Sequence, residues 1–402
     1  MTAACTIVAK NQFALARVLA GSFRAHHPDV PFFVLLADEI DGWFDPGREP
    51  FETVPLSALD IADSARFRFR YAQQPLSYAC TPFLIEHLLD RGFARVLFFK
   101  QEGMVLGSHA DVFDRLTRHP IVLSAHLIAP LDGRDAVARE LNILQSGIFN
   151  VGLLGIAESD TARRFVRWWQ DRVSSHCMHA VADGMHYEQR WLDLVPSYFE
   201  GSHVIRDPGF NVAHWNLPER AVHVDGDCVT VHGRPCRLFR FSGYDPESPT
   251  APTRYADRLT WETVGPARSV FERYQRALLD AGHEETRTWP FAYGYFDDGT
   301  FVPDFVRRLY VQLGDEAARF HDPRAVNSTP SFFGWLNEPV DARLPIVSRL
   351  WHAVHGARRD LQDAFPDVLL ADRERFIAWT HSSGEREHDI PSPFHLGASA
   401  AS

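Results

Sequence analysis

The chain has 402 residues, of which 45% are hydrophobic and 23% are charged, and its formal net charge is -11. This acidic balance, without a basic run of five residues, argues against nucleic acid or an anionic membrane surface as the main partner. No stretch approaches the roughly 18 apolar residues of a membrane span, and the first residues lack the pattern of a signal peptide, so we expect a cytoplasmic protein.

Apolar runs of strand length alternate with amphipathic segments of helix length through the first half of the chain. This pattern predicts an α/β fold with a mainly parallel sheet flanked by helices. The predicted strands cover 5–9, 31–38, 95–99, 120–127 and 147–156, and the predicted helices among them cover 11–26, 82–91 and 159–174. The segment 184–199 is predicted to form a helix and a connection, with short β segments around 203–206 and 222–231. No GxGxxG motif follows the first strand, which disfavours a dehydrogenase.

The composition becomes more helical from about residue 254 onward. The clearest amphipathic helix covers 261–282, and further helices are predicted within 302–314, 348–365 and 372–381. We therefore predict an α/β domain over 1–253 and a mainly helical region over 254–402. The five cysteines show no CxxC spacing, which predicts free thiols rather than a disulfide framework or a zinc site. Beyond the short tail GASAAS, no low-complexity segment or internal repeat is visible.

Several segments occur in the order typical of a bacterial group of GT-A-fold glycosyltransferases. TIVAKNQFALARVLAGSFRAHHPD resembles the first nucleotide-binding strand and helix of that group, QSGIFNVGLLGI its Gly-x-Phe-Asn-x-Gly strand, and YEQRWLDLVP its Asp-Gln-x-Trp-x-Asp-Leu-Val-Pro segment. QPLSYACTPFLIEHLL, GFNVAHWNL, LFRFSGYDP, FFGWLNEP and RRDLQDAFPDV are similar to further landmarks. The group is distantly related to the retaining glycogenin-like and lipopolysaccharide galactosyltransferase families. The resemblance implies a GT-A-like fold and transfer of a sugar, as a hexosyltransferase with retention, from a nucleotide-diphosphate sugar to a hydroxyl acceptor.

The strand predicted at 95–99 is followed by Lys100, Gln101 and Glu102. At this strand end the resemblance implies an Asp-x-Asp motif that holds a divalent cation on the diphosphate, and it implies a further His ligand in a later His-Phe-Ser-Gly segment. Here that segment reads Arg-Phe-Ser-Gly and begins at Arg240. Because ammonium and guanidinium groups have no lone pair for a hard cation, we expect no bound divalent metal and no cofactor beyond the nucleotide-sugar co-substrate.

We predict that Lys100 and Arg240 replace the metal as groups that stabilise the leaving diphosphate. With Glu102 their formal charge is about +1, which still favours a diphosphate, and Glu102 is expected to orient Lys100 or to contact the ribose. The alternative is a decayed site in which the two cations form surface ion pairs with Glu102 and nearby carboxylates. The chain would then be a catalytically inactive homologue that binds nucleotide or glycan or supports an active partner. An enzyme with other sugar-nucleotide chemistry is a further alternative.

The remaining residues expected at the donor end strands or begin turns. Because ligands of an open parallel sheet lie beyond the carboxyl ends of its strands, residues after the first three strands are expected to converge on one nucleotide-sugar. Besides Glu102, the residues expected to bind the donor are Ala9, Lys10, Asn11, Asp38, Asn150, Gly152, Ser242 and Gly243. For Asn150 the alternative is a structural residue in a turn at a strand end.

Glu188 and Gln189 occupy the place of the Asp-Gln pair. In retaining enzymes this place lies near the anomeric carbon, where a carboxylate or an amide can stabilise an oxocarbenium-like transition state or bind the donor. The alternative is a solvated helix face.

Four further residues are expected to contact the acceptor or the sugar, because aromatic and amide groups suit a sugar face and its hydroxyls. They are His126, His214, Trp215 and Asn216, and each has a purely structural role as its alternative. Thr81 stands where the relatives commonly have Lys, and we expect it to cap the helix that Pro82 begins.

Overall fold

The computed structural model describes residues 1–396, and the tail GASAAS lies outside them. The strands are β1 (Thr2–Val8), β2 (Phe32–Leu36), β3 (Glu52–Pro55), β4 (Arg95–Phe99), β5 (Gly103–Val105), β6 (Ile121–Ala125), β7 (Phe149–Ala157), β8 (His179–Ala180), β9 (Met185–His186), β10 (His203–Ile205), β11 (Val222–Asp225), β12 (Cys228–Val231), β13 (Arg234–Pro235), β14 (Leu238–Arg240), β15 (Pro339–Asp341) and β16 (Leu344–Ser348).

The α-helices are α1 (Phe13–His26), α2 (Ser64–Arg70), α3 (Gln73–Ala79), α4 (Thr81–Asp90), α5 (Ala110–Arg115), α6 (Ala136–Ser146), α7 (Asp160–Val173), α8 (Val195–Tyr198), α9 (Arg268–Asp280), α10 (His283–Thr286), α11 (Asp304–Gln312), α12 (Phe332–Asn337), α13 (Arg349–Gly356), α14 (Arg359–Ala364), α15 (Arg373–Trp379) and α16 (Glu385–Glu387). None of these helices combines the length and the apolar character that a membrane crossing requires.

Seven strands form the central sheet in the order β10-β6-β7-β4-β1-β2-β3. β1 pairs in parallel with β2 and β4, β2 with β3, and β10 with β6, while β7 runs antiparallel to its neighbours β4 and β6. The predicted mainly parallel sheet flanked by helices is therefore confirmed. Parallel strands end at one edge of the sheet, and the reversed strand β7 begins there, so we call this side the carboxyl edge.

The sheet strands are near-continuous apolar runs because side chains on both faces are buried. β2 and β6 are buried along their whole length, and β4 along all but its first residue. On one face, Phe13, Leu19 and Phe23 of α1 pack in one cluster with Val8 and Phe99 of the sheet. The apolar spacing of α1 therefore holds the helix that follows β1 against the strands that carry the carboxyl edge.

The chain divides into two compact units. One contains Met1–Asp60 and Pro75–Pro290, and the other contains Ile61–Gln74 and the residues from Phe291 onward. The division at Pro290 lies later than the predicted one at residue 253, because α9 packs into the first unit, where its Phe271 and Tyr274 share a cluster with Ala14 of α1.

The second unit is mainly helical, with α2, α11 to α16 and the antiparallel pair of β15 and β16. The early segment that contains α2 belongs to this unit because Phe69 packs against Phe296 and Tyr310. Nothing in the sequence around Phe69 marks this pairing, which joins residues more than two hundred positions apart.

One predicted segment has a different secondary structure, and one helix was not predicted. The predicted helix at 184–199 is instead β9, a 3-10 helix over Glu188–Leu194 and the short helix α8. The 3-10 helix leaves Glu188 and Gln189 buried rather than on a solvated helix face. The helix α6, which lies between β6 and β7, was not among the predicted elements.

Candidate active site at the carboxyl edge

The two cations singled out by the sequence meet beside β7. The backbone N–H of Lys100, which follows β4, donates to the carbonyl oxygen of Gly152 in β7 at 3.3 Å. β14, which ends at Arg240, pairs antiparallel with β5, so that Arg240 lies opposite Gly103. Nε of Arg240 donates to the carbonyl oxygen of Glu102 at 3.1 Å. Residues about 140 positions apart are thus joined at the turn after β4.

Lys100 pairs with Glu188 rather than with Glu102. Its Nζ lies 2.8 Å from Oε1 of Glu188, and the two side chains are 9% and 1% exposed. Nζ also lies 3.5 Å from the centre of the Tyr78 ring, at cation–π distance. The expectation that Glu102 orients Lys100 is therefore wrong: the side chain of Lys100 turns toward the 3-10 helix that carries Glu188.

Arg240 is buried, with an exposed fraction of 2%. Burial lowers its pKa from the ordinary value, and the carboxylate of Glu102 acts in the opposite direction. Nη1 of Arg240 and Oε2 of Glu188 have no hydrogen bond partner among the described residues. Since both cations are buried, surface ion pairs of the kind that the decayed-site alternative assumes do not occur here.

A hydrogen-bonded chain connects Asn150, Gln189 and His126. Nδ2 of Asn150 lies 3.0 Å from Nε2 of His126 and donates to Oε1 of Gln189 at 3.2 Å, while Oδ1 of Asn150 accepts from the backbone N–H of Gly152 at 2.8 Å. Nε2 of Gln189 donates to the carbonyl oxygen of Ser146 at 2.8 Å. Burial lowers the pKa of His126 to about 3, so its ring is neutral and Nε2 accepts. The amides of Asn150 and Gln189 are therefore held in defined orientations.

Gly152 is in close contact with three polar side-chain atoms. A Cβ built on it would lie 2.3 Å from Oδ1 of Asn150, 2.4 Å from Nη1 of Arg240 and 2.6 Å from Oδ1 of Asn211. Only glycine allows this approach. Asn211 was not predicted from the sequence. The one sequence feature that could have indicated it is an asparagine directly after Gly-Phe, three residues before His214.

The residues of the AHWN segment (213–216) differ in their contacts. The side chain of Asn216 donates to the carbonyl oxygens of His126 and Asn211 at 2.9 and 3.0 Å and accepts from the N–H of Ala213, a structural arrangement. Trp215 is buried with its ring edge-on to His126. His214 is half-buried, and burial lowers its pKa to about 4.

The strand-end residues nearer β2 form a separate ion-paired group. Nζ of Lys10 lies 2.8 Å from Oδ2 of Asp41 and 3.5 Å from Oδ1 of Asp38, and the backbone N–H of Lys10 donates to Asp38 at 3.2 Å. The ammonium of Lys10 is buried and held by these carboxylates. Ala9 and Asn11 flank it at the end of β1. Asp38 therefore fixes the turn after β1 through Lys10.

Two remaining positions have backbone roles. Gly243 has a φ of 76°, and a Cβ there would lie 2.6 Å from Oγ1 of Thr253, which itself donates to the carbonyl oxygen of Ser242 at 2.9 Å. Thr81 is the first residue of α4, and its Oγ1 has no hydrogen bond partner among the described residues. The predicted cap is therefore wrong: Thr81 is itself a helical residue, and the residue at the N-cap position is Cys80.

The side chains at this edge do not suit a divalent cation. Such ions need oxygen or imidazole donors, whereas two of the three expected ligand positions carry an ammonium and a guanidinium group and only the third, Glu102, carries a carboxylate. Among residues 1–396 there is no cluster of three or more His, Cys, Asp or Glu side chains that would hold a metal ion. The side chains of Lys100 and Arg240 therefore cannot serve as ligands to a divalent metal.

No family model matches the chain. It is similar to two proteins of Bacillus subtilis (strain 168). The first is uncharacterized protein YfnF, with 24% identity over 256 residues, and the alignment covers 61% of this chain and 82% of YfnF. The second is uncharacterized protein YfnD, with 28% identity over 102 residues, and the alignment covers 25% of this chain and 33% of YfnD.

Among solved structures, the chain is similar to galactosyltransferase LgtC in complex with donor and acceptor sugar analogs, with 17% identity and a TM-score of 0.44, over 70% of this chain and 96% of LgtC. Glycosyltransferase GlyE of Streptococcus pneumoniae TIGR4 has 12% identity and a TM-score of 0.41, over 78% of this chain and 73% of GlyE. The apo structure of the bifunctional glycosyltransferase WbbM has 11% identity and a TM-score of 0.38, over 68% of this chain and 51% of WbbM.

Proposed function

We propose that this protein is a glycosyltransferase that transfers a sugar from a nucleotide-diphosphate sugar to a hydroxyl acceptor, with Arg240 and Lys100 where a divalent cation would otherwise lie. The observation that carries the proposal is Arg240, a buried guanidinium at the carboxyl edge whose Nη1 has no partner among the described residues. The resemblance of the surrounding sequence segments supplies the reaction class.

Electrostatic stabilisation of the leaving group is the chemistry that these residues offer. The diphosphate gains negative charge as the glycosidic bond breaks, and a fixed cation in a buried site stabilises that charge. Because Lys100 is paired with Glu188, this pair is close to neutral as a unit. Arg240 is then the main uncompensated cation, and its loss is expected to slow turnover by roughly 10²–10³-fold.

Glu188 and the Asn150–Gln189 pair are assigned to the donor sugar. Oε2 of Glu188 is buried without a partner among the described residues, and a carboxylate there suits a sugar hydroxyl or an oxocarbenium-like transition state. The amides are held rigidly, which positions a substrate without further ordering. Transfer of a hexose with retention is part of the proposal and rests on the resemblance alone.

The first turns of the chain and the AHWN segment complete the proposed site. The Ala9, Lys10, Asn11 and Asp38 group is assigned to the nucleotide, with Lys10 acting through the turn it stabilises. His214 and Trp215 are assigned to the acceptor or the sugar face, with Asn216 as their support. Ser242 and Gly243 follow Arg240 and shape the chain beside it.

A second candidate function is a nucleotide- or glycan-binding homologue without catalysis. The ion pair of Lys100 and Glu188 favours it, because each group neutralises the other and neither is then available in the charged, unpaired state that catalysis uses. This candidate shares the ligands of the first and differs only in turnover.

The two candidates are separated by binding followed by a turnover assay. Calorimetry with UDP-, GDP- and dTDP-sugars identifies the donor, and the released nucleoside diphosphate is then measured with and without simple sugar acceptors. Release by the native chain, reduced in the Arg240→Ala variant, is expected for a glycosyltransferase. Binding without release supports the non-catalytic homologue, and the absence of any binding contradicts both.

A further inference from the structure

Two buried polar atoms without partners lie against the same glycine. Nη1 of Arg240 and Oδ1 of Asn211 have no hydrogen bond partner among the described residues, and Asn211 is 1% exposed. A Cβ built on Gly152 would lie 2.4 Å from the first atom and 2.6 Å from the second. One atom donates and the other accepts, and leaving both unpaired when buried is costly.

Asn211 is held in place from three directions. Its φ is 53°, in the left-handed region that asparagine enters more readily than most residues. Nδ2 donates to the carbonyl oxygen of Ala125 at 3.3 Å, which fixes the amide so that Oδ1 points elsewhere. The carbonyl oxygen of Asn211 accepts from Asn216 at 3.0 Å, and the backbone N–H of Arg240 donates to the carbonyl oxygen of Val212 at 2.8 Å. The two unpartnered atoms are thus presented by neighbouring, rigid segments.

The pair of atoms distinguishes between ligand groups. A phosphate or a carboxylate only accepts hydrogen bonds, so it would satisfy Arg240 and place its lone pairs against Oδ1 of Asn211. An ammonium group only donates and would be repelled by the guanidinium. A hydroxyl group donates and accepts at once, so it is the common ligand group that matches both atoms.

We propose that Asn211, together with Nη1 of Arg240, forms a subsite for one hydroxyl group of the donor's sugar, and that Asn211 selects sugars with a hydroxyl at that position. The inference rests on the proposed function only in taking the ligand to be a nucleotide-sugar. It is compatible with a role of Arg240 toward the diphosphate, since the guanidinium charge acts over several ångströms while Nη1 makes one directed hydrogen bond.

Calorimetry on the full chain tests the subsite without relying on turnover. UDP, GDP and dTDP are titrated beside UDP-glucose, UDP-galactose, GDP-mannose and dTDP-glucose. For the nucleotide-sugar that binds most tightly, the ratio of its Kd to the Kd of its own nucleoside diphosphate measures the contribution of the sugar. In Asn211→Gly, which keeps the left-handed backbone, this contribution is expected to fall about tenfold while the Kd of the nucleoside diphosphate stays the same.

Asn211→Asp is the matched variant. Both substitutions remove the hydrogen bond to Ala125, but only Asp keeps an acceptor beside Arg240. The sugar contribution in Asn211→Asp is expected within about threefold of native, by the spread usual for a retained hydrogen bond. An equal loss in both variants, or a weaker Kd for the nucleoside diphosphate alone in Asn211→Gly, would show a structural role and overturn the subsite.

Deoxy-sugar analogues of the best donor test the same claim on the native chain, whatever the stability of the variants. Removal of one hydroxyl is expected to weaken native binding about tenfold, and removal of the same hydroxyl should weaken binding less in Asn211→Gly, in which only the hydrogen bond from Arg240 remains. Binding that is indifferent to every hydroxyl overturns the subsite and leaves the proposed function intact. Failure of the native chain to bind any nucleotide or nucleotide-sugar overturns the proposed function and the subsite with it.

Discussion

Lys100 and Glu188, 88 positions apart in the chain, form a 2.8 Å ion pair that is almost completely shielded from solvent. Removing one member of such a pair leaves the other charge buried and uncompensated. Lys100→Ala is therefore expected to lower the free energy of unfolding by about 3–5 kcal/mol, measured by chemical denaturation.

The exposed pair of Arg268 and Glu272 provides a control in the same compact unit. Arg268→Ala should change the free energy of unfolding by less than about 1 kcal/mol, because exposed ion pairs contribute little. The double variant Lys100→Met with Glu188→Leu should recover most of the lost stability without recovering turnover. Equal stability of native and Lys100→Ala would show that the pair is not buried in solution.

Gly152 is expected not to accept a side chain. In Gly152→Ala the new methyl group would overlap Nη1 of Arg240 and two asparagine oxygens, so Arg240 or the strand has to move. Turnover should fall at least tenfold, in line with the cost of displacing a group at the reacting centre. The assay is release of the nucleoside diphosphate from the donor.

Gly21, within α1, is the matched control because a Cβ there meets nothing within 4 Å. Gly21→Ala should raise the free energy of unfolding by about 0.5–1 kcal/mol and leave turnover unchanged. Undiminished turnover in Gly152→Ala would contradict the close approach of the three polar atoms.

The buried imidazole of His126 should make the free energy of unfolding depend on pH. Burial lowers its pKa to about 3, below the ordinary value near 6.5, so between these values the unfolded chain binds a proton that the folded chain does not. The contribution of His126 to the free energy of unfolding is therefore fully present above pH 6.5 and is lost as the pH falls toward 3. His126 should contribute about 2 kcal/mol of this loss between pH 7 and pH 5.

The measurement is the free energy of unfolding of the native chain and of His126→Gln across that range. The native chain should lose stability more steeply than the variant, while the exposed His223→Gln should follow the native chain. Identical slopes for native and His126→Gln would show that the imidazole is not buried in its neutral form.

Restoring ligand chemistry at the edge should create metal binding. The triple variant Lys100→Asp, Glu102→Asp and Arg240→His replaces an ammonium and a guanidinium group with oxygen and imidazole donors. We expect it to bind Mn²⁺, seen by electron paramagnetic resonance, at concentrations at which the native chain does not. Equal Mn²⁺ binding by both chains would contradict the placement of these residues around one point.

The fold could be read from the sequence where burial dominates. β4 has the bounds that were predicted, 95–99, because an uninterrupted apolar run bounded by charged residues has no competing structure. The segment after Tyr187 could not be predicted, because Glu188 at the start of its 3-10 helix is buried against Lys100, and that pairing is set by the paths of two distant segments. The place of Ile61–Gln74 in the second unit depends on tertiary packing in the same way.

The site was only partly predictable for the same reason. Arg240 and the turn at Lys100 were expected together, and the pairing of β14 with β5 joins them. The partner of Lys100 and the position of Asn211 were missed, since neither follows from spacing along the chain. Local rules also failed at Thr81, which favoured a cap by residue type but lies inside α4.

The central claim is that Arg240, with Lys100 beside it, does the work of a divalent metal. Its most direct test is the rate of nucleotide-sugar turnover by the native chain in excess chelator, compared with the rate after addition of Mn²⁺ or Mg²⁺, with Arg240→Ala alongside. We expect the native rate to be the same in both conditions and to fall by roughly 10²–10³-fold in the variant. A strict requirement for the metal ion, or full turnover by Arg240→Ala in chelator, would contradict the claim.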